Sequence, residues 1–153
     1  MISLWVLHGP NLNMLGVREP DVYGTTSLVD LDAMLHSRGA AMGAEVTCLQ
    51  SNHEGALVEW VHGAVAQGVS AIVINPAGLT HTSVSLRDAL AIFQGVKIEV
   101  HLSNIWQRED FRARSLVAPV VDGVVAGLGT ESYTLGLQAA VKLVRRRDGG
   151  HAT

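Results

Sequence analysis

Several common kinds of protein are excluded by what this chain lacks. Its 153 residues hold one cysteine, two lysines and few aromatic side chains. A lone cysteine excludes an intrachain disulfide and suits a reducing compartment, so a cytoplasmic setting is expected. Cys48 lies in the apolar run Val46-Thr47-Cys48-Leu49, where no neighbour in sequence would stabilise a thiolate, and it is expected to be an inert buried thiol. Lys97 starts a strand candidate and Lys142 falls on the last helix pattern, which leaves no good candidate for a Schiff base. The N-terminal apolar run, Ile2 to Leu7, is too short for a signal peptide or a membrane span, and no membrane partner is expected. A net charge of −3 gives no reason to expect nucleic acid. There is no Gly-Lys-Ser/Thr phosphate loop, no G-x-G-x-x-G after the first strand, no His-Glu-x-x-His pair and no G-x-S-x-G elbow. Neither a metal nor a cofactor is expected. His36 and His62 fall on polar helix faces and read as solvent-exposed.

What the chain does contain is an alternation of short aliphatic runs and helical stripes. Apolar residues make up 48% of it and glycine is frequent, as suits an Ala/Val/Leu-rich α/β protein. The length is enough for one domain with a real core. Residues 1–147 are expected to form it, with 148–153 as a disordered tail. Strands are predicted at Ile2–Leu7, Glu45–Gln50, Ala71–Asn75, Lys97–His101 and Gly123–Ala126. Helical stripes lie between them: Leu28, Leu31, Leu35 and Met42; Leu57, Trp60, Val61, Ala64 and Val65; Leu86, Leu90 and Phe93; Tyr133, Leu137, Ala140, Val141 and Val144. Ser27, with Asp30 three residues on, reads as the cap of the first stripe. Five strands with interleaved helices predict a flavodoxin-like, doubly wound parallel sheet with helices on both faces.

Ligands of such sheets bind beyond the carboxyl ends of the strands, near the switch in strand order. Three of the loops at that edge are rich in polar groups. The first runs from Gly9 to Gly24, far longer than the about 2–6 residues usual for a strand-to-helix loop. It carries an amide, a cation, a carboxylate and a phenol in Asn11, Arg18, Glu19 and Tyr23, and its terminal glycines suit a lid. The third strand is followed by Asn75-Pro76-Ala77-Gly78-Leu79-Thr80-His81-Thr82-Ser83. The fourth ends in Glu99 and His101, then Ser103 and Asn104, with Arg108 and Arg112 close behind. The polar run after the second strand, Gln50 to Glu54, reads as a helix cap.

Glu99 and His101 alternate on one strand and so share a face. A carboxylate beside an imidazole selects its tautomer and favours its charged form. Taken alone, the pair is equally a structural ion pair at a strand end. Arg108 and Arg112, four apart, would share one face of a helical turn, either solvated or holding an anion. Ser103 and Asn104 would open a helix whose backbone N–H groups hold a carboxylate. The chemistry left is acid–base catalysis on an anionic, hydroxylated small molecule.

The motifs Gly9-Pro10-Asn11-Leu12-Asn13 through Arg18-Glu19-Pro20 to Tyr23-Gly24, Asn75 through Thr80-His81-Thr82-Ser83 to Arg87-Asp88, and Glu99-Val100-His101-Leu102-Ser103-Asn104 through Arg108-Glu109 to Phe111-Arg112 stand in order along the chain. With Gln50-Ser51-Asn52-His53-Glu54-Gly55 in support, the chain resembles the type II 3-dehydroquinate dehydratases from about Ile2 to Leu143. The resemblance implies a flavodoxin-like fold and anti elimination of water from 3-dehydroquinate through an enolate, giving 3-dehydroshikimate, in the shikimate route to aromatic amino acids or in quinate breakdown. It casts Tyr23 as the base that removes the C2 proton, with Arg18 stabilising its phenolate and Asn11 holding a water against the enolate oxygen. His101, oriented by Glu99, would protonate the departing C1 hydroxyl. Asn75, Ser103 and the backbone N–H groups of Leu102 and Ser103 resemble carboxylate and hydroxyl contacts. His81 and Arg112 resemble groups that bind ring hydroxyls, and Arg108 belongs to the lid side. Asp88 would reach the site of a neighbouring subunit in a homododecamer of four trimers.

The family pattern is broken at Trp106-Gln107, at Ala77-Gly78, where two small residues stand in a less usual order, and at Ser132, where glycine is common. None of these removes a group cast as catalytic; Trp106 bears on lid packing or the assembly surface. The rival reading is a non-catalytic flavodoxin-like binding or signalling domain. A phosphorylated receiver needs acidic residues after the first strand and a lysine near the fifth, where this chain has Gly9-Pro10-Asn11 and Gly127-Leu128-Gly129. A flavin carrier needs a phosphate cradle that the first loop does not offer.

Overall fold

The computed structural model describes residues 1–17, 21 and 25–149. Five strands form one parallel sheet: β1 (Ile2–His8), β2 (Ala44–Gln50), β3 (Ala71–Asn75), β4 (Val96–His101) and β5 (Gly123–Ala126). Their order is β2-β1-β3-β4-β5. Among the described residues, three α-helices connect successive strands up to β4, α1 (Leu28–Ala41), α2 (Glu54–Ala66) and α3 (Val84–Ile92); short 3-10 turns join β4 to β5, and a fourth, α4 (Glu131–Asp148), follows β5. This is the predicted doubly wound, flavodoxin-like fold, with each predicted strand found to within one residue at either end.

The helices divide between the faces because side chains alternate along a strand. Leu4, Val6, Val46, Val73, Ile98 and Val100 face one way, and α1 and α4 close over them with Leu31, Leu35, Leu137 and Val141. Leu7, Ile72 and Ile74 face the other way, under Leu57 and Val61 of α2 and Leu86 and Leu90 of α3. Each such buried side chain contributes about 1.5–3 kcal/mol relative to exposure. On α4, Gly136 lets the helix lie close to the sheet, since a Cβ there would stand 2.6 Å from Val100 Cγ1. Ser27 caps α1 as expected, its hydroxyl accepting the Asp30 N–H at 3.1 Å. The second stripe is narrower than predicted. Val65 is 45% exposed, because it falls off the arc defined by Leu57, Val61 and Ala64.

Asp148, expected in a disordered tail, is the last residue of α4, and the Gly149 N–H closes that helix end on the Arg145 carbonyl. Residues 150–153 of the expected tail lie outside the described residues. His36 and His62 are exposed, as read from their helix faces. Cys48 is part-buried, and burial, with the Asp32 carboxylate beside it, pushes its thiol well above the ordinary range; it is no nucleophile. Among the described residues, no helix is long and apolar enough to cross a membrane.

Candidate active site

Strand order reverses at β1: the chain steps from β1 out to β2, then returns to β3 on the other side. The loops leaving β1 and β3 diverge there, and the space between them is the crevice where such folds bind ligands. Gly9 makes the junction tight. Its N–H donates to the Asn75 carbonyl at 2.8 Å, and a Cβ on it would meet the Pro76 oxygen at 2.5 Å. The resulting cleft is lined from the β1 side by Pro10, Asn11 and Leu12, and from the β3 side by Asn75, Ala77, Gly78 and His81. The β4 side adds His101, Leu102 and Ser103, then Ile105, Arg108 and Arg112.

The His101–Glu99 pair is the chemical centre of this cleft. His101 Nε2 lies 2.6 Å from Glu99 Oε2, and Glu99 is fully buried. The Nε2 proton is therefore held by the carboxylate, which leaves Nδ1 as the nitrogen that exchanges a proton with anything in the cleft. Glu99 is itself clamped by Ser115, whose hydroxyl donates at 3.0 and 3.1 Å to the two carboxylate oxygens. The same hydroxyl accepts the N–H groups of Val117, at 3.2 Å, and Ala118, at 2.9 Å. Ser115 escaped the sequence reading, being 16 residues from Glu99 in an irregular stretch. Its neighbours are pinned to the β3 loop: His81 Nδ1 donates to the Arg114 carbonyl at 2.7 Å, and the Leu116 N–H to the Thr80 carbonyl at 2.8 Å. Holding its proton on Nδ1 makes His81 Nε2 an acceptor.

Arg108 and Arg112 both line the cleft, but not from one helical turn as predicted. They belong to separate segments, since the 3-10 turns at Ile105–Gln107 and Asp110–Ala113 are broken at Arg108 and Glu109. Glu109 draws them together: Arg112 Nε lies 3.1 Å from Oε2 and Arg108 Nε 3.8 Å from Oε1. Its carboxyl is held below the usual range by its own backbone N–H and then by these two guanidinium groups. Arg108 also reaches the Ser103 hydroxyl at 3.5 Å. Phe111 lies under the Arg112 guanidinium at 4.9 Å and meets His81 edge-on. Nor do Ser103 and Asn104 open a full helix. Asn104 caps only the single 3-10 turn, its side chain accepting the Trp106 N–H at 3.1 Å, and Trp106 itself is 61% exposed.

The run after β2 does not cap α2 through its side chains as expected. His53 is the cap residue and makes no side-chain cap bond. Instead Gln50 donates to the Gly9 carbonyl at 3.3 Å and to Asn52 Oδ1 at 3.1 Å, and Asn52 Oδ1 also accepts the Asn11 N–H at 2.8 Å. These bonds hold Asn11 in a left-handed conformation, φ 72°, which asparagine tolerates.

Among the described residues, the other non-glycine with positive φ is Ala77, at 53°, across the same cleft. Its N–H is held by Asn75 Oδ1 at 3.1 Å. An alanine in this region costs about 1–2 kcal/mol that glycine avoids. Gly78 has no positive φ, and a Cβ there would meet nothing within 4 Å. Exchanging the two residues, Ala77→Gly with Gly78→Ala, is expected to stabilise the fold by about 1 kcal/mol, raising Tm by about 2–4 °C in a thermal melt. A lowered Tm would show that the Ala77 conformation carries no strain.

Asp88 is exposed on α3, pairs with Arg87 at 3.2 Å and is not part of the cleft of its own chain. Arg18 and Tyr23 lie outside the described residues.

A doubly wound α/β domain with a buried carboxylate–imidazole pair and two arginines at its switch-point cleft defines a small-molecule site with acid–base capacity. The model of the class II dehydroquinase family matches residues 2–141, and the chain belongs to that family. It is 53% identical over 141 residues to the 3-dehydroquinate dehydratase of Desulforudis audaxviator, covering 92% of this chain and 93% of that one. To the 3-dehydroquinate dehydratase of Marinobacter nauticus it is 51% identical, covering 95% of this chain and all of that one. The crystal structure of type II dehydroquinase from Propionibacterium acnes superposes with a TM-score of 0.90 at 41% identity, covering 93% and 97% of the two chains.

Proposed function

We propose that this protein is a type II 3-dehydroquinate dehydratase, a hydro-lyase that converts 3-dehydroquinate to 3-dehydroshikimate and water in the shikimate pathway. The observation that carries the reading is the His101–Glu99 pair at the switch-point cleft of a family member, with one imidazole nitrogen held by a buried carboxylate. In the proposed scheme Tyr23, as the phenolate beside Arg18, takes the C2 proton. The electrons move into the C3 carbonyl, and the enolate oxygen is supported by a water on Asn11. His101, protonated on Nδ1, then gives that proton to the C1 hydroxyl, which leaves as water as the enolate collapses to the conjugated enone. A proton passed from the Tyr23 phenol to His101 restores both groups. Asn75, Ser103 and the backbone N–H groups of Leu102 and Ser103 bind the substrate carboxylate and hydroxyls. His81, through its free acceptor nitrogen, and Arg112 bind the ring hydroxyls, while Arg108 works from the lid side. The scheme calls for no cofactor.

The conjugated enone absorbs in the ultraviolet, so purified protein mixed with 3-dehydroquinate is expected to give a steady rise in absorbance. No rise at millimolar substrate would refute the activity and return the chain to the class of binding domains.

A cytoplasmic homododecamer of four trimers, with Asp88 completing a neighbour's site, is the assembly that family membership favours. The exposed position of Asp88, away from the cleft of its own chain, fits that role. Asp88→Ala and His101→Ala variants, each inactive, are expected to regain part of the activity when dissociated and reassembled together. Some mixed sites would then join an intact His101 to an intact Asp88. Mixed oligomers without activity would remove Asp88 from the shared site.

A further inference from the structure

Three side chains with metal-ligating atoms meet on the face of the sheet opposite Glu99. None of them lines the cleft, and the scheme above uses none of them. His8 ends β1, Asp32 lies on α1 and Cys48 on β2. Val6 pairs with Cys48 in the β1–β2 register, and His8, two residues further on, points to the same face. There His8 Nε2 stands 2.7 Å from Asp32 Oδ1, and the three ligand atoms all lie within 4.8 Å of one another. At separations of 24 and 16 residues the three form no sequence motif, which is why no metal is expected from spacing alone.

The donor set suits a borderline-soft divalent cation. Thiolate and imidazole are ligands of zinc, whereas magnesium and calcium take oxygen. Around a tetrahedral zinc, with bonds of about 2.0–2.3 Å, such donors stand about 3.3–3.6 Å apart. His8 and Asp32 need to part by only about 0.6 Å to reach that spacing. A small turn of the Asp32 carboxylate provides it, since that side chain is 24% exposed while the His8 ring is fully buried. One dication, one thiolate, one carboxylate and a neutral imidazole sum to zero charge, so the filled site carries no net charge into the interior. The cation itself ionises the thiol, which stays protonated without it. A partner for the imidazole is also in place. With Nε2 on the metal, His8 keeps its proton on Nδ1, 2.9 Å from the oxygen of the fully buried Tyr133. Ligating histidines are commonly held by such a bond from their other nitrogen.

We propose that His8, Asp32 and Cys48 form a binding site for one Zn²⁺ that ties α1 to β1 and β2. The exposed side of Asp32 gives the ion its way in and a water its place as fourth ligand. The ion takes no part in the elimination. It joins segments that are far apart in the unfolded chain, so its binding stabilises the fold.

The test uses the full chain, reduced, freed of metal by a chelator and then titrated with Co²⁺ or Zn²⁺ alone. Cys48 is the sole cysteine, so a thiolate-to-cobalt charge-transfer band in the near ultraviolet reports on it and on no other residue. The band is expected to saturate at one cobalt per chain and to be bleached by zinc. Zinc at about 100 times its dissociation constant is expected to raise Tm by about 5–10 °C, and magnesium to leave it unchanged. Cys48→Ser should abolish both the band and the rise, with a metal-free Tm near that of the parent. Asp32→Asn should weaken cobalt binding by at least about 10-fold, an arm that serves even if Cys48→Ser fails to fold. Absence of the band, or a zinc-dependent rise of equal size in Cys48→Ser, would overturn the site. Cobalt binding undiminished in Asp32→Asn would give the thiolate other co-ligands and overturn it as well.

Discussion

Replacing Tyr23 with phenylalanine is expected to cost about 100- to 10,000-fold in kcat, the usual contribution of a general base, while a substrate analogue still binds. In the proposed scheme the hydroxyl is the base, whereas the cleft groups on β3 and β4 proposed to hold the ligand are untouched. An ordinary tyrosine has a pKa near 10, so about 0.1% is ionised at pH 7, and forming the phenolate there costs about 4 kcal/mol. A guanidinium beside it lowers that cost, and more so when water is excluded. Arg18, five residues upstream in the sequence, is the proposed source of that charge. Arg18→Ala is therefore expected to slow turnover severely, with a residual rate that climbs as pH rises toward 10 and the unassisted phenol ionises. Arg18→Lys should recover only part of the loss, since an ammonium lacks the planar fork of donors. Near-normal turnover in Tyr23→Phe, measured as kcat across pH, would remove tyrosine from the mechanism and make His101 the base.

The second large effect is expected at Glu99. Glu99→Gln should lower kcat about 100- to 10,000-fold, close to the loss in His101→Ala, with little change in analogue binding. Removal of the charge is one cause. The other is a mismatch in hydrogen bonding. The Ser115 hydroxyl spends its one proton on Glu99 and its lone pairs on the Val117 and Ala118 N–H groups. A glutamine must turn its NH₂ either toward Ser115, where no acceptor remains, or toward His101 Nε2, which strips the proton from that nitrogen and leaves a neutral imidazole, a far weaker acid than the imidazolium held by a carboxylate. Leaving a buried donor unpaired costs about 1–3 kcal/mol. A small drop in Tm should therefore accompany the loss of activity. Full activity in Glu99→Gln would mean that the carboxylate does not set the state of His101.

The strands were legible because their signal is local. Runs such as Ala71–Asn75, apolar up to the closing asparagine, are flanked by glycine, serine or proline, and they appear where predicted. Glu99 and His101 were legible for the same reason: alternation puts them on one face without reference to the rest of the chain. The stretch from 103 to 113 misled because arginines at i and i+4 imply a helix only if the backbone between them stays helical. Here Glu109 draws both arginines toward itself, and the chain forms two short 3-10 turns instead. Gln50 and Asn52 looked like a helix cap and are the brace for Asn11, a contact across 41 residues.

The sequence by itself determined the alternating architecture, the end of the sheet that carries the polar loops, and the family. Periodicity and turn chemistry are written into neighbouring residues, and the family motifs are contiguous. Only the tertiary structure decided which groups hold the site in place. Ser115 finds Glu99 because the β3 loop pins its flanks, and Tyr133, which reads as one more apolar position in a helical stripe, meets His8 across 125 residues. Burial leaves their hydrogen bonds no water to exchange with, so each partner is set by where the sheet and helices bring the chain together rather than by any local pattern.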